Sequence, residues 1–258
     1  MKIAISGKGG VGKTLIAALM GQLLTESGYS VIAIDADPDA NLGASLGFAG
    51  VGDIVPVSEM KELIAERTGV KEDETPTFYK LNPQVADIPD KYALKQNGIA
   101  LMVMGRVKKG GTGCYCPENA FLQALTTHLL LLPNEVVIMD MAAGIEHLSR
   151  GTARMVDRLI IIVEPTRQSV ATAERIMTLA RDLGIKGIAL IGNKIRGDRD
   201  KEFLSSSLSG MEFLGFVPYD EKIAAAEQTG TPLLTASPEV TGEVRRITHT
   251  LLPESSKN

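Results

Sequence analysis

A glycine-rich segment near the start of the chain constrains its fold more than any other feature. A short apolar run from Lys2 to Ser6 leads into Gly7 to Thr14, which match the pattern G-x-x-x-x-G-K-[ST], and an apolar helical pattern follows. Strand, loop and helix in this order are the context in which the pattern forms a phosphate-binding loop. The segment therefore predicts an α/β fold with a nucleotide site at the end of its first strand.

The loop has the chemistry of an anion site. Its glycines permit positive φ, so that successive backbone N–H groups can turn inward, and the loop opens a helix, whose N-terminus favours negative charge. Lys13 is predicted to bind the β- and γ-phosphates of ATP or ADP, and the hydroxyl of Thr14 to ligate Mg²⁺. The other predicted nucleotide-binding residues of the loop are Gly9, Gly10, Val11 and Gly12.

A second lysine, Lys8, stands inside the loop, where the general pattern requires none. At this position the side chain points away from the phosphate that its own loop holds, so it is either a solvated charge or a contact to a second subunit. The loop sequence G-K-G-G-x-G-K-[ST] resembles the deviant Walker A group of ATPases, which includes nitrogenase iron protein, the MinD and ParA ATPases and several metal-insertion factors. In that group this lysine reaches the nucleotide of the partner chain. The resemblance implies a homodimer in which Lys8 is catalytic together with Lys13.

Apolar runs bounded by turn residues alternate with helical patterns along the rest of the chain. Such runs are typical of parallel strands that are buried on both faces. The alternation predicts one α/β domain over residues 1–258, a doubly wound and mainly parallel sheet flanked by helices. The predicted strands are Ile3–Ser6, Val31–Asp35, Ile99–Met104, Val136–Asp140, Leu159–Val163, Gly187–Ile191 and Glu212–Val217. The predicted helices are Thr14–Ser27, Ser58–Thr68, Pro117–Leu131, Gln168–Leu183, Arg199–Ser207 and Asp220–Thr229.

Two of the predicted strands end in aspartate, at the edge of the sheet where phosphate must lie. Asp140 is placed like a Walker B aspartate, which holds Mg²⁺ through water, although a helix-capping role is the alternative. Asp35, Asp37 and Asp39 follow the second strand. In the resembling group the aspartate before proline orients the attacking water, and this role falls on Asp37 here. We expect Asp35 near the metal and Asp39 in a turn.

The adenine base is expected at the far end of the site. Asn193 ends a predicted strand, and its amide can pair with a ring nitrogen and an exocyclic amine. The deviant Walker A group uses such an asparagine for the base and packs its adenine where Pro218 lies in this chain. The alternative is that Asn193 is a turn residue.

The two cysteines of the chain, Cys114 and Cys116, stand one residue apart. Residues i and i+2 of an extended segment point to the same side, so both thiolates can face one soft metal. A disulfide between them would close a strained ring. Two sulfurs leave a four-coordinate site incomplete, whereas two chains related by a twofold axis supply four. The alternative is a pair of partly buried thiols without a ligand role.

The flanks of the cysteine pair carry a closer resemblance. The segments from Met104 to Phe121 and from Asp140 to Ala153 resemble the nickel-insertion accessory ATPases of carbon monoxide dehydrogenase, of which a related branch serves acetyl-CoA synthase. The resemblance implies that Cys114 and Cys116 bind Ni²⁺ or Zn²⁺ at a dimer interface. It also implies a client nickel enzyme. His147 is expected to orient the loop after Asp140 rather than to bind metal.

Two other functions remain open. A dimeric iron–sulfur protein for ATP-dependent electron transfer, like nitrogenase iron protein, has a cysteine in the loop after Asp140, where this chain has Ala142 and Ala143. A ParA- or MinD-like positioning ATPase needs a basic surface or a lipid-binding helix. The net charge is −4 and no apolar run has the length of a membrane span. We therefore expect no nucleic-acid partner, no membrane partner and a cytoplasmic location.

Overall fold

The computed structural model describes residues 1–70, 79–105, 117–132, 135–145, 148 and 150–252. Within these ranges one sheet has the strand order β3-β4-β2-β5-β1-β6-β7-β8, and all neighbouring strands are parallel except β3, which is antiparallel to β4. The strands are β1 (Lys2–Gly7), β2 (Val31–Ala36), β3 (Leu94–Gln96), β4 (Ile99–Val103), β5 (Val136–Met141), β6 (Arg158–Val163), β7 (Ile188–Ile195) and β8 (Phe213–Pro218). The predicted α/β fold is confirmed.

Both faces of the central sheet are buried because neighbouring residues of its inner strands enter different cores. Ala4 packs with the helices of one face, whereas Ile3 and Ile5 pack with those of the other. The described helices are α1 (Lys13–Glu26), α2 (Leu42–Ser45), α3 (Lys61–Thr68), α4 (Ile88–Tyr92), α5 (Pro117–Leu131), α6 (Arg150–Ala153), α7 (Arg167–Asp182), α8 (Asp198–Ser207), α9 (Glu221–Thr229), α10 (Leu233–Ala236) and α11 (Pro238–Leu251). Helices α5 and α7 cover the first face, and α1 and α11 cover the second. Because helices cover both faces, the sequences of the inner strands are continuous apolar runs.

The register of the central strands decides where the polar strand ends meet. Strand β1 lies between β5 and β6, and β2 pairs with β5 on its other side. Ile5 is opposite Asp140, and Asp140 is opposite Asp35. The loop that follows β1 and the two buried carboxyl groups therefore come together at one edge of the sheet.

Helix α11 was not predicted, although its sequence carries the signals of a helix. Ser237 caps it by accepting a hydrogen bond from the backbone N–H of Val240, and Pro238 occupies its first turn. Val240, Val244 and Ile247 are buried against the core that contains α1. Each such side chain contributes about 1.5–3 kcal/mol when fully buried, so this helix fixes the back of the loop-bearing helix.

Other details also differ from the predicted elements, and the short helices α2, α4, α6 and α10 were not predicted. The predicted helix Ser58–Thr68 is interrupted at Met60, where a 3-10 turn (Val57–Glu59) gives way to α3. The short edge strand β3 was missed because its residues are mostly exposed and carry no buried apolar run. In the part of the chain that the structure describes, none of the helices combines the length and the apolar character needed to cross a membrane.

Candidate nucleotide-binding site

The glycine-rich loop joins β1 to α1 with two glycines in the left-handed region. Gly10 has φ 78° and Gly12 has φ 93°, conformations that an L side chain adopts only with strain. Gly12 is the N-cap of α1, so the leading N–H groups of the helix, which have no partner within the helix, directly follow the loop. Lys13 is 6% exposed, and its ammonium group donates to the carbonyl oxygen of Lys8 at 3.4 Å. The loop thus has the backbone form of an anion nest.

A cavity of about 480 Å³ lies against this loop. Its volume is within the usual range for sites of small ligands. The cavity brings together most of the predicted site residues, while the Val11 side chain is fully buried beneath the loop. Those that line the cavity are Gly9, Gly10, Gly12, Lys13, Thr14, Asp37, Asn193 and Pro218.

A buried hydroxyl–carboxyl pair marks one end of the site. The hydroxyl of Thr14 donates to Oδ2 of Asp140 at 2.7 Å. Asp140 is fully buried, and among the described residues its Oδ1 atom has no hydrogen-bond partner. Two hard oxygen donors beside an unpaired buried oxygen suit Mg²⁺, which is bound through carboxylates, hydroxyls and water. Thr14 and Asp140 therefore fit the Mg²⁺ ion that accompanies a nucleoside triphosphate.

Burial changes the acid–base behaviour of this pair. Desolvation raises the pKa of Asp140 to about 7, against the opposing effect of the Thr14 hydrogen bond, and nearby Asp35 raises it further. Desolvation likewise raises the pKa of Asp35 to about 6, although backbone hydrogen bonds from Leu42 and Asp37 oppose the shift. Without a cation, both carboxyl groups therefore titrate closer to neutral pH than an exposed aspartate does.

The raised pKa of Asp140 predicts a pH-dependent stability. In the native state the carboxyl keeps its proton up to about pH 7, whereas the unfolded chain loses it near pH 4. The native state therefore binds more protons over this window, and its stability falls as the pH rises through it. The asparagine variant lacks this loss of stability. We expect the difference in free energy of unfolding, Asp140→Asn minus wild type, to be larger at pH 8 than at pH 5 by about 2–3 kcal/mol.

Chemical denaturation without nucleotide or divalent cation measures this difference. Subtracting the wild type from the variant removes the contributions of titrating groups that are distant from Asp140, whereas the interaction of Asp140 with Asp35 is part of the measured difference. An equal difference at pH 5 and pH 8 would mean that Asp140 is ionised throughout.

Asp35 and Asp37 have different environments. Asp35 is fully buried, and its carboxyl accepts from the backbone N–H of Leu42 at 2.8 Å and of Asp37 at 3.2 Å. It thereby fixes both ends of the loop after β2. Asp37 is partly exposed, lines the cavity and accepts from the backbone N–H of Asp39 at 3.1 Å. Asp37 and the exposed Asp39 both line the cavity, and of the two it is Asp37 whose carboxylate is oriented by this backbone hydrogen bond.

Ser6 is a site residue that sequence reasoning missed. Its hydroxyl donates to the carbonyl oxygen of Gly144 at 2.6 Å, in the loop that follows β5. Ser6 is fully buried. The contact ties the strand that carries the phosphate-binding loop to the segment after Asp140. A polar residue at the end of an apolar strand was the available signal.

Asn193, at the cavity wall, is fixed by a hydrogen bond to the loop. The side-chain nitrogen of Asn193 donates to the carbonyl oxygen of Val11 at 2.7 Å, and the residue is 3% exposed. The amide nitrogen is thus committed, which leaves the carbonyl oxygen as the group suited to an exocyclic amine. The prediction that Asn193 binds an adenine base stays a prediction, and in this conformation only the side-chain oxygen is available for it.

Lys8 points away from the cavity. Its ammonium nitrogen lies 3.7 Å from Oε1 of Glu164, and its side chain is 34% exposed. Glu164 also pairs with Lys194, whose nitrogen donates to the carbonyl oxygen of Gly10 at 2.6 Å. Neither Glu164 nor Lys194 was singled out from the sequence, because their roles depend on strand order.

The predicted metal-binding cysteines are not placed by the structure. Cys114, Cys116 and His147 lie outside the described residues. Within the described ranges, no three His, Cys, Asp or Glu side chains are grouped so that they could hold a metal ion.

Alanine substitution is expected to affect stability differently at two glycines of the loop. A Cβ at Gly12 would collide with the amide nitrogen of Asn193, and its φ is 93°. A Cβ at Gly9 meets nothing within 4 Å, and its φ is not in the left-handed region. We expect Gly12→Ala to lower the free energy of unfolding by about 1–3 kcal/mol and Gly9→Ala to leave it nearly unchanged.

Thermal or denaturant unfolding of the nucleotide-free variants measures both effects. Equal stability of the two variants would show that the bond between Asn193 and the loop is not rigid in solution.

The family follows from comparison with known proteins. The model of the CobQ/CobB/MinD/ParA nucleotide-binding domain matches residues 2–233. The chain belongs to this family. The membership agrees with the loop, the buried Asp140 and the sheet order described above, and the chain is a P-loop ATPase that binds ATP.

Curated relatives of this ATPase cover nearly its whole length. The carbon monoxide dehydrogenase accessory protein CooC of Rhodospirillum rubrum is 45% identical over 240 residues, which are 92% of this chain and 91% of CooC. The ATP-binding protein MJ0823 of Methanocaldococcus jannaschii is 47% identical over 236 residues, or 90% of this chain and 91% of that protein. The resemblance to accessory ATPases of carbon monoxide dehydrogenase is confirmed at this level.

Solved structures agree with the ATPase fold. MinD in the MinC:MinD complex of Aquifex aeolicus has a TM-score of 0.69 at 21% identity, covering 97% of both chains. A ParA family ATPase from Chlorobium tepidum has a TM-score of 0.67 at 16% identity, covering 97% of this chain and 98% of that chain. At these identities the likeness concerns the fold alone.

Proposed function

We propose that this ATPase is a metallochaperone that hydrolyses ATP to support nickel insertion into carbon monoxide dehydrogenase or acetyl-CoA synthase. The observation that carries the proposal is the 45% identity to the accessory protein CooC, spread over 92% of this chain. A similarity of this extent includes the nucleotide site, the loop after β5 and the segment with the cysteine pair. The whole chain, residues 1–258, acts as one ATPase domain in the cytoplasm.

The nucleotide chemistry follows from the cavity. Lys13 and the loop N–H groups bind the phosphates, while Thr14 and Asp140 hold Mg²⁺. Asp37 orients the attacking water, because phosphoryl transfer depends on positioning and charge stabilisation more than on a strong base. Asn193 and Pro218 bind the adenine end. The 2.7 Å bond from Thr14 to Asp140 and the position of Asp37 on the cavity wall support these roles.

The metal chemistry requires a second chain. Cys114 and Cys116 contribute two thiolates, and a twofold-related copy completes a four-coordinate site for Ni²⁺, with Zn²⁺ as the competing ion. Lys8, directed away from its own cavity, crosses the same interface to the phosphates of the partner subunit. ATP and metal therefore favour the same closed homodimer, to which the client nickel enzyme binds.

A backbone contact next to the cysteine segment supports a link between the two proposed sites. The N–H of Met104 donates to the carbonyl oxygen of Asp35 at 2.8 Å. Asp35 also fixes the loop that carries Asp37. The cysteine segment begins shortly after Met104 and ends at the start of α5. A change in the Asp37 loop on hydrolysis is thus transmitted to the beginning of the cysteine segment.

Reconstitution of the client tests this function. Nickel-free carbon monoxide dehydrogenase is incubated with limiting Ni²⁺ and this protein, and the recovery of CO oxidation is followed with ATP or with a non-hydrolysable analogue. We expect faster activation with ATP than with the analogue, and no effect of ATP for the Lys13→Ala variant. Equal activation with and without the protein would contradict the proposal. ATP-dependent cosedimentation with DNA or liposomes would favour a positioning ATPase instead.

A further inference from the structure

Three charged side chains meet beside the phosphate-binding loop at the carboxyl ends of neighbouring strands. Lys8 directly follows β1, Glu164 directly follows β6, and Lys194 lies near the end of β7. Strand β1 pairs with β6, and β6 pairs with β7. The sheet order therefore brings Lys8, Glu164 and Lys194 together, and we refer to them as the lysine–glutamate cluster.

Glu164 is the shared counter-ion of this cluster. Its Oε1 atom lies 3.7 Å from Nζ of Lys8, and its Oε2 atom lies 3.3 Å from Nζ of Lys194. The Glu164 side chain is only 16% exposed. A carboxylate with this little access to water depends on nearby cations for the stability of its charge.

The backbone of Glu164 is held in place by a hydrogen-bonded turn. Its N–H donates to the hydroxyl of Ser169 at 3.1 Å, and its carbonyl oxygen accepts from the N–H of Thr166 at 2.7 Å. Thr166 is the N-cap of α7 and accepts from the N–H of Ser169. Glu164 is thus held by the same turn that starts a well-packed helix.

The two lysines of the cluster are held to different degrees. Lys194 has φ 60° at an irregularity of β7, and its nitrogen donates to Gly10 at 2.6 Å in addition to its pair with Glu164. For the ammonium group of Lys8, Glu164 is the contact that the described residues supply, and 3.7 Å is too long for a hydrogen bond. Lys8 can therefore leave the cluster while Lys194 continues to neutralise Glu164.

We propose that Glu164 is a positioning residue that holds Lys8 within its own subunit and thereby sets the ATP-bound dimer's affinity. The inference takes the dimer and the crossing of Lys8 from the proposed function. Lys8 must exchange Glu164 for phosphate oxygens when the dimer closes. The Lys8–Glu164 contact is longer than a hydrogen bond and Lys8 is 34% exposed, so this exchange tunes dimerisation by a small factor and does not block it.

The Glu164→Gln variant tests the contact, because it removes the charge and keeps the size of the side chain. Glu212→Gln is the matched control: Glu212 pairs with Arg158 at 3.0 Å and lies at the amino ends of the strands, on the opposite edge of the sheet. The first readout is competitive labelling of amines in the nucleotide-free protein, followed by mass spectrometry, with exposed Lys61 as the internal reference.

We expect Lys8 to be labelled about two- to fivefold faster in Glu164→Gln than in the wild type or the control. Lys194→Met removes the other cation that pairs with Glu164. Lys8 is then expected to be held more firmly and to be labelled more slowly than in the wild type. Opposite signs at two contacting positions are not produced by a general loosening of the fold. Unchanged labelling of Lys8 in Glu164→Gln overturns the proposal.

The second readout is the dissociation constant of the dimer with a non-hydrolysable ATP analogue and Mg²⁺, measured by sedimentation. We expect a dimer about two- to fivefold tighter for Glu164→Gln and an unchanged one for Glu212→Gln. Faster labelling without a tighter dimer overturns the regulatory role of Glu164. If the wild type forms no dimer at all, the proposed ATP-driven dimerisation fails, and the labelling then reports on the Lys8–Glu164 contact by itself.

Discussion

Replacing Lys13 with alanine is expected to weaken ATP binding about 10- to 100-fold and to abolish measurable hydrolysis. Lys13 is 6% exposed and is the first residue of α1, directly after the glycine-rich loop. Hydrogen bonds to charged groups contribute about 1.5–3 kcal/mol in such surroundings, which corresponds to this range of affinity. Calorimetric titration with ATP and a phosphate-release assay measure the two effects.

Lys8→Ala is the matched comparison for Lys13→Ala. It removes the same ammonium group from the same loop, but from a side chain that is directed at Glu164 rather than into the cavity. We expect this variant to bind ATP nearly as the wild type does, and to lose hydrolysis and nucleotide-driven dimerisation. Full ATPase activity with dimerisation in Lys8→Ala would refute the cross-interface role of Lys8.

Replacing Asp37 with asparagine is expected to lower kcat about 100-fold or more, with little change in the affinity for ATP. Asp37 lines the cavity and is oriented by the backbone N–H of Asp39 at 3.1 Å. A positioned group that accepts or directs a proton contributes about 10²–10⁴-fold. Single-turnover hydrolysis, with the affinity measured in parallel, separates this effect from a loss of binding.

Asp39→Asn controls for the charge of the Asp37 loop. Asp39 is exposed, lines the same cavity, and contributes only its backbone N–H to the hydrogen bond with Asp37. We expect its kcat to stay close to that of the wild type. An equal loss in both variants would assign the effect to the overall negative charge rather than to the orientation of water by Asp37.

The sequence predicts the central part of this fold because local signals there agree with each other. The predicted strand Val136–Asp140 is contained in β5, and Asp140 stands where a strand-end carboxylate was expected, against Thr14. The apolar runs could be recognised because helices cover both faces of the sheet. Helix α11 was overlooked although Ser237 and Pro238 form an ordinary helix start.

The contacts between distant parts of the chain could not be predicted. Glu164 and Lys194 approach the loop only because β6 and β7 follow β1 in the sheet, and strand order is not a local property. The hydrogen bond from Asn193 to Val11 spans a similar separation and decides which atom of the Asn193 amide remains available to other groups. The sequence supplied the residue types of the site, whereas the pairings among them required the topology.

The central claim is that ATP and a thiolate-bound metal stabilise the same dimer. It is tested most directly by measuring bound metal and oligomeric state on the same samples, with and without ATP, after loading with Ni²⁺. The wild type is compared with Cys114→Ser and Cys116→Ser. We predict one metal ion for each two chains in the ATP-bound dimer, and loss of the metal in both variants. The account would be contradicted if the wild type bound no metal, or if either cysteine variant kept the metal.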